Sequence, residues 1–282
     1  LIADNNLSNL RYLALLAVEL GLDVLEAHDG EQALALYREH RVEFVLLDAR
    51  MPRLDGPGCA RPGFAASLAG QCRRTTRSNS RGGLMPLLSL IRHAPTTWNE
   101  AGRIQGQTDT PLSANGRAAL MQWTPPAPLL AAEWWSSPLQ RCRDTARHLA
   151  GRTVPTDDRL AETHWGEWQG CSLADLRAKL GEEMAAMEGR GWDFQPPGGE
   201  SPRMVGVRLQ AFLQDVAARD RPTVAVTHRG VIRVVLALAT GWDFLGKPPV
   251  KMQRPAAQVF WVAPDGSLEL RSANVSLLAA AA

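Results

Sequence analysis

The sequence predicts an α/β protein with mostly parallel strands, and three stretches lead to this prediction. Residues 44–48, 87–91 and 223–227 are short apolar runs, and each is followed by polar residues. Continuous apolar runs of this length are typical of strands that are buried on both faces of a parallel sheet. Because the carboxyl ends of parallel strands meet at one edge, we expect functional residues to collect there.

The composition excludes two classes of partner. The 282 residues carry a formal charge of +2, and 45% of them are hydrophobic. This charge is too small to indicate a nucleic-acid or membrane surface. The longest apolar run, residues 231–239 with Arg233 inside it, is too short to cross a bilayer, and no signal-like segment opens the chain. We therefore expect a cytoplasmic protein.

Charge distribution divides the chain into three parts. Between Asp55 and Glu100 there is no acidic residue, while five arginines fall in residues 61–81 among Gly, Ser and Thr. This stretch has no periodicity and few apolar residues, as is typical of disorder. We predict a first unit at 1–57, a disordered linker at 58–84 and a second unit at 85–282.

The first unit alternates strands and helices. Strands are predicted at the first residues and at 24–27 and 44–48, and helices at 10–20 and 31–40. Asp4 and Asp48 each lie at the carboxyl end of a strand. The segments LIADNN at 1–6, EAHDGEQAL at 26–34 and LLDARMPRLDG at 46–56 resemble the front half of a response-regulator receiver domain.

This resemblance implies an incomplete flavodoxin-like half-domain. It also implies that Asp48 accepts a phosphoryl group, that Asp4 helps to hold Mg²⁺, and that a sensor histidine kinase is the partner. Asn5 stands where receivers usually have a second acidic residue, and no lysine precedes Lys179. Two alternatives therefore stay open: a functional receiver that controls the second unit, and a remnant without phosphorelay, which these departures favour.

The second unit has charged residues at the ends of its strands. Arg92 and His93 follow the strand at 87–91, and His228 follows the strand at 223–227. After a strand that ends near residue 135, we predict a helix with Ser137 as its N-cap and Pro138 as its first residue. Arg141 then lies in the first turns of that helix, near backbone amides that attract anions.

These residues predict a phosphoryl-transfer pocket. The imidazoles and guanidiniums are expected to converge at one sheet edge, and the polar–aromatic loop at 159–168 adds carboxylates. Five segments resemble the histidine phosphatase superfamily, with its phosphoglycerate mutase-like fold, including α-ribazole phosphatase-type members. They are LIRHAPTTWNEAGRIQGQTDTPLSANG at 90–116, SSPLQRCRDTA at 136–146, RLAETHWGEWQG at 159–170, PPGGES at 196–201 and VTHRG at 226–230.

The resemblance implies a three-layer α/β/α sandwich and five catalytic residues. His93 is the nucleophile that holds the phosphoryl group covalently. Arg92 and Arg141 bind the phosphoryl oxygens through planar forks, and His228 donates to the same oxygens. Glu162 protonates the leaving alkoxide and then activates water.

The resemblance also implies substrate contacts and a substrate class. Asn99 and Gln105 are expected to bind a small phosphorylated metabolite. No cofactor is expected for the phosphatase, since arginines neutralise the phosphoryl charge, and Mg²⁺ is expected only if the receiver half functions. A phosphoglycerate mutase is the alternative, although the segment after Met85 leaves little room for the insertions that shield phosphohistidine from water.

A core helix is expected after Ser201 and Pro202. Apolar residues follow at helical spacing, and Ser followed by Pro is typical of a helix start. The predicted inward residues are Val205, Leu209, Phe212, Leu213 and Val216.

Overall fold

The structure, a computed structural model, describes residues 1–3, 10, 14, 17, 22–40, 46–47, 86–219 and 221–278. The chain divides into two compact units, Leu1–Leu84 with Ala279–Ala282, and Met85–Leu278. Asp4, Asp48 and the predicted linker at 58–84 lie outside the described residues. Their roles and the domain boundaries therefore stay predictions.

The first unit contains a small parallel sheet. Its strands β1 (Ile2–Ala3), β2 (Glu26–Ala27) and β3 (Leu46–Leu47) lie in the order β2-β1-β3. Helix α1 (Gly30–Glu39) begins after Asp29, whose carboxylate accepts a hydrogen bond from the Gln32 backbone N–H at 2.8 Å. The strand order is the one with which flavodoxin-like sheets begin.

The second unit is built on a five-stranded sheet in the order β5-β6-β4-β7-β8. β4 pairs in parallel with β6, and β6 with β5, while β7 runs antiparallel to both β4 and β8. Four of the five strands therefore point the same way. The strands are β4 (Leu87–Arg92), β5 (Glu133–Ser136), β6 (Thr223–Thr227), β7 (Ala256–Val262) and β8 (Leu268–Ser276).

Helices surround this sheet. The α-helices are α2 (Thr97–Glu100), α3 (Ala114–Leu120), α4 (Ala127–Ala131), α5 (Gln140–Ala150), α6 (Leu173–Leu180), α7 (Glu182–Glu188), α8 (Pro202–Ala217) and α9 (Arg229–Thr240). Short 3₁₀ turns lie at Asp158–Leu160, Gly166–Trp168 and Gly191–Asp193. None of the helices in the described part of the chain is long and apolar enough to cross a membrane.

Strand β4 is the middle strand of the sheet, and both of its faces are apolar. Leu88 and Leu90 pack into a core formed with helices α8 and α9. Their neighbours Leu87 and Ile91 point to the opposite face and are also buried. A strand covered on both sides requires a layered α/β arrangement, and the predicted α/β fold is confirmed.

Helix α8 confirms the predicted core helix. Ser201 caps it by accepting a hydrogen bond from the Met204 backbone N–H, and Pro202 is its first residue. The five predicted inward residues are all buried. Helical spacing of apolar residues was therefore sufficient to identify both the helix and its core face.

Candidate active site

The three strands β4, β5 and β6 end at one edge of the sheet. His93 directly follows β4, Ser137 follows β5, and His228 follows β6. The rings of His93 and His228 are tilted by 59° and their centroids are 5.2 Å apart. Two residues 135 positions apart in sequence thus face one small space, as the sequence predicted.

His93 is buried and has a defined tautomer. Its side chain is only 2% exposed, and Nδ1 lies 2.7 Å from the Ala94 carbonyl oxygen. A carbonyl only accepts, so Nδ1 carries the hydrogen and Nε2 keeps a free lone pair. Burial, and next the charges of Arg141 and Arg92, hold the pKa of His93 well below its ordinary value. The ring is therefore neutral and nucleophilic near neutral pH.

His228 is also neutral, and both of its nitrogens contact protein groups. Burial, followed by the charges of Arg141 and His93, holds its pKa well below the ordinary value. Arg141 Nε donates to Nδ1 at 3.3 Å, so the hydrogen lies on Nε2, which is 2.7 Å from Ser137 Oγ. Donation from Nδ1 to a phosphoryl oxygen therefore requires the ring to gain a proton, which a nearby dianion favours.

Arg141 is the second residue of helix α5 and is fully buried. Its Nη1 donates to the Thr108 carbonyl at 2.9 Å, and its Nη2 donates to the Gly106 carbonyl at 2.7 Å. With the bond to His228, these contacts occupy three of the five N–H groups of a guanidinium. Two N–H groups stay available for an anion, and the fork that carries them is held in one orientation.

The predicted start of helix α5 was wrong. The helix begins at Gln140 with Leu139 as its N-cap, instead of beginning at Pro138 with Ser137 as its cap. Ser137 instead turns its hydroxyl to the His228 ring, and its backbone N–H donates to the Val226 carbonyl. The hydroxyl also accepts a longer hydrogen bond from the Leu139 backbone N–H at 3.4 Å, so its shorter contact is the tertiary one with the second histidine.

Arg92 ends strand β4 and has an unused donor. Its Nε is buried and has no hydrogen-bond partner. Burial is the main reason that the pKa of Arg92 is lowered to about 10; the Glu162 charge acts against this shift, and the charges of Arg229 and Arg141 add to it. The group stays charged near neutral pH. A buried cation with a free N–H is the type of group that binds a phosphoryl oxygen.

The carboxylate of Glu162 is held at the start of helix α9. Oε1 accepts from the Thr163 backbone N–H at 2.9 Å, and Oε2 accepts from the Gly230 backbone N–H at 3.3 Å. Gly230 leaves the room for this: a Cβ there would overlap Oε1 of Glu162 and would lie 2.6 Å from Thr163 Oγ1. The side chain of Glu162 therefore points toward Gly230, two residues after His228.

Arg208 orients the loop that carries Glu162, a role that we did not predict for the core helix. Its Nη2 donates to the Ala161 carbonyl at 2.7 Å and to the Glu162 carbonyl at 3.2 Å. Its Nε binds Glu200 at 3.0 Å, and Glu200 also accepts from the His164 backbone N–H. The segment PPGGES at 196–201 could have indicated this contact, because it contains Glu200, the partner of Arg208.

Asn99 and Gln105 are each partly committed to the protein. Asn99 and Thr96 form a capping box at helix α2, in which Asn99 Oδ1 accepts from the Thr96 backbone N–H. The Gln105 side-chain oxygen accepts from the hydroxyls of Thr96 at 2.8 Å and Thr110 at 2.6 Å. The side-chain amide nitrogens of Asn99 and Gln105 are therefore the groups left to donate to a substrate. The predicted substrate contacts of these two residues stay predictions.

Together these residues form a site for a tetrahedral anion. Two neutral imidazoles lie close together, the charges of Arg141 and Arg92 act on the first of them, and the Glu162 carboxylate acts on Arg92. A covalent acceptor, charge-neutralising forks and an acid–base group are the components that phosphoryl transfer needs. The fold and the site therefore define the class of phosphotransfer enzymes.

Comparison with known proteins identifies the family. Residues 88–273 match the model of the histidine phosphatase superfamily (branch 1), and residues 1–61 match the model of the response regulator receiver domain. The chain belongs to the histidine phosphatase superfamily. It is a phosphoric monoester hydrolase of that type.

Several named relatives are similar to this chain. The glucosyl-3-phosphoglycerate phosphatase of Mycobacterium tuberculosis is 37% identical over 56% of this chain and 79% of its own length. Phosphoserine phosphatase 1 of Hydrogenobacter thermophilus is 32% identical over 56% and 78%. A solved structure of mycobacterial glucosyl-3-phosphoglycerate phosphatase has a TM-score of 0.56 at 31% identity, and covers 68% of this chain and 99% of that one.

Proposed function

We propose that this enzyme hydrolyses a small phosphorylated metabolite through a phosphohistidine at His93 and without a metal ion. The observation that carries the proposal is the pairing of a neutral, buried His93, whose Nδ1 is bound to a carbonyl, with a second imidazole 5.2 Å away. The relatives named for glucosyl-3-phosphoglycerate and phosphoserine support the substrate class, since both compounds are small phosphate monoesters.

In the first step, Nε2 of His93 attacks phosphorus and the bond from phosphorus to the ester oxygen breaks. Arg92 and Arg141 bind the phosphoryl oxygens as charge shifts to the leaving group. The protonated carboxyl of Glu162 gives its proton to the leaving alkoxide, so an alcohol departs. The Nδ1–H bond to the Ala94 carbonyl supports the positive charge that the ring gains.

In the second step, the Glu162 carboxylate takes a proton from water, and the water oxygen attacks phosphorus. The bond from phosphorus to Nε2 breaks, which releases inorganic phosphate and restores neutral His93. Cationic stabilisation comes from the two arginines, which replace the usual role of a metal ion.

Turnover of p-nitrophenyl phosphate tests this proposal. We expect the purified full chain to release p-nitrophenol at the same rate in EDTA and in added Mg²⁺. A folded preparation without turnover in either condition, or one that turns over only with the metal, would contradict it. A relative in Gloeobacter violaceus is named as a phosphoglycerate mutase, which is the alternative function. To separate the two functions, 3-phosphoglycerate is supplied: a mutase forms 2-phosphoglycerate, and a phosphatase releases free phosphate.

The receiver-like unit remains a separate proposal. Its control of the phosphatase would require Asp48 to accept a phosphoryl group from a sensor histidine kinase, with Mg²⁺ held near Asp4. The match of residues 1–61 to receiver domains and the β2-β1-β3 strand order favour such an ancestry. Labelling with acetyl phosphate, compared between the wild type and the Asp48→Asn variant, tests whether this unit is functional or a remnant.

The Gly230→Ala variant is expected to lower kcat about 100-fold, because its methyl group displaces the Glu162 carboxylate from the backbone N–H that holds it. Steady-state kinetics with p-nitrophenyl phosphate measure the effect. Gly206→Ala in helix α8 is the matched control, since a Cβ there meets Trp192 and Val234 at an ordinary 3.7 Å. Equal kcat values for the two variants would show that Glu162 does not need this position.

A further inference from the structure

Two arginines outside the predicted catalytic set lie at the same sheet edge as Arg92. Arg229 is the first residue of helix α9 and follows the second histidine, at the end of β6 beside β4. Arg254 precedes β7, and antiparallel pairing places Ala257 opposite Ile91. Because β7 runs opposite to β4, the residues before Ala257 lie beyond the same edge as Arg92 and the nucleophile.

Arg254 presents one complete edge of its guanidinium without a partner. Its Nε and Nη2 are both buried, and neither makes a hydrogen bond; the same is true of Arg92 Nε. An unpaired buried donor is costly, and more so in a charged group. The cost is removed when an anion binds.

The same edge binds carboxylates elsewhere in this chain. Arg159 donates from Nε at 2.9 Å and Nη2 at 2.6 Å to the two oxygens of Asp157. Arg203 donates from Nε at 2.6 Å and Nη2 at 2.9 Å to Asp193. Two parallel N–H groups match the spacing of two carboxylate oxygens. The free edge of Arg254, formed by Nε and Nη2, therefore has the geometry needed to bind a carboxylate.

The local charge is more positive than a phosphoryl group needs. Burial, and next the charges of Arg92 and Arg229, lower the pKa of Arg254 to about 9, and no acidic group among its described neighbours raises it. The phosphoryl dianion is bound by Arg92 and Arg141. Positive charge at Arg229 and Arg254 then remains for a second anionic group.

We propose that Arg254 and Arg229 form a second anion subsite, next to the phosphoryl-binding Arg92, and that this subsite binds a carboxylate of the substrate. This inference rests on the proposed phosphatase function and narrows its substrate class to phosphate monoesters that carry a carboxylate a few bonds from the ester oxygen. Arg254 makes the bidentate contact, and the exposed Arg229 adds charge. Arg254 and Arg229 determine specificity, and neither touches the reacting phosphorus.

Two matched substrate pairs test the subsite with the full-length chain. O-phosphoserine and O-phosphoethanolamine differ only by a carboxylate, and 3-phosphoglycerate and glycerol 3-phosphate differ by a carboxylate in place of a hydroxymethyl group. We expect Arg254→Gln to lower kcat/KM about 10- to 100-fold for the carboxylate member of a pair and less than about threefold for the other. Arg229→Gln is expected to have a smaller effect in the same direction.

Arg147→Gln is the control, because Arg147 is an exposed arginine of helix α5 whose ion-pair partner is Asp144. Turnover of p-nitrophenyl phosphate shows that each variant is folded. Equal losses on both members of a pair, or no loss on either, would overturn the subsite. If the wild type hydrolyses p-nitrophenyl phosphate but prefers neither carboxylate substrate, the subsite is wrong and the phosphatase function stands. If p-nitrophenyl phosphate is not hydrolysed, both are wrong.

Discussion

Replacement of His93 by Ala is expected to lower kcat by at least about 10⁴-fold, because no other group in the site can replace the covalent acceptor. The second imidazole has its Nε2 against the Ser137 hydroxyl and its Nδ1 against Arg141. It is therefore not positioned to attack phosphorus. Substrate binding by the arginines should survive, so KM should change much less than kcat.

Quenching in alkaline denaturant after mixing with labelled substrate measures the intermediate directly. Wild-type protein should retain a phosphoryl group that is labile in acid and stable in alkali, and the His93→Ala variant should retain none. His148→Ala serves as the control, since His148 is exposed in helix α5. A labelled His93→Ala variant, or one with more than about a tenth of wild-type kcat, would show that the nucleophile lies elsewhere.

Replacement of Arg141 by Ala is expected to lower kcat/KM about 10³-fold, the effect of removing a buried guanidinium from a phosphoryl site. The side chain binds the Gly106 and Thr108 carbonyls and His228, so its loss also frees the second histidine. Arg141→Lys keeps the charge and loses the fork. It should remain at least about 10-fold below the wild type.

Inhibition by inorganic phosphate provides the second measurement for Arg141. Both variants should bind phosphate more weakly than the wild type, and thermal unfolding should show that they are folded at the assay temperature. Arg143→Ala is the matched control, because Arg143 lies on the exposed face of the same helix. Full activity in Arg141→Lys would mean that charge alone is needed and that the planar fork is not.

The architecture of the second unit was largely predictable from local patterns. Apolar runs marked the buried strands, and the spacing in residues 205–216 identified the inward face of helix α8. Both patterns follow from the period of a secondary structure, which acts over a few residues. The two histidines could be placed together for a second reason: each follows a strand of a parallel sheet, and parallel strands have their carboxyl ends at one edge.

Prediction failed where distant residues decided the outcome. Ser137 was expected to cap a helix, because its local context favours that role, but contact with His228 requires its hydroxyl. Helix α8 was expected to have only a core role, yet its Arg208 binds the backbone of the loop that carries Glu162. No local periodicity records which loop an arginine will contact.

Arg254 and Gly230 show how far tertiary structure extends the site. Arg254 reaches the sheet edge only because β7 pairs antiparallel with β4, a choice of partner that an isolated strand pattern does not specify. Gly230 is needed only because Glu162, 68 residues away, packs against it. Such contacts are long-range and arise after the strands have assembled.

By itself, the sequence determined the α/β class, the family resemblance and the residue types that meet at the sheet edge, because strand periods and short motifs are local properties. The tertiary structure alone decided the tautomers of the two histidines, the anchoring of Arg141 and Glu162, and the gathering of Arg229 and Arg254 beside Arg92. These features depend on hydrogen-bond partners and on burial. Both are set by how distant strands and loops pack at one edge of the sheet.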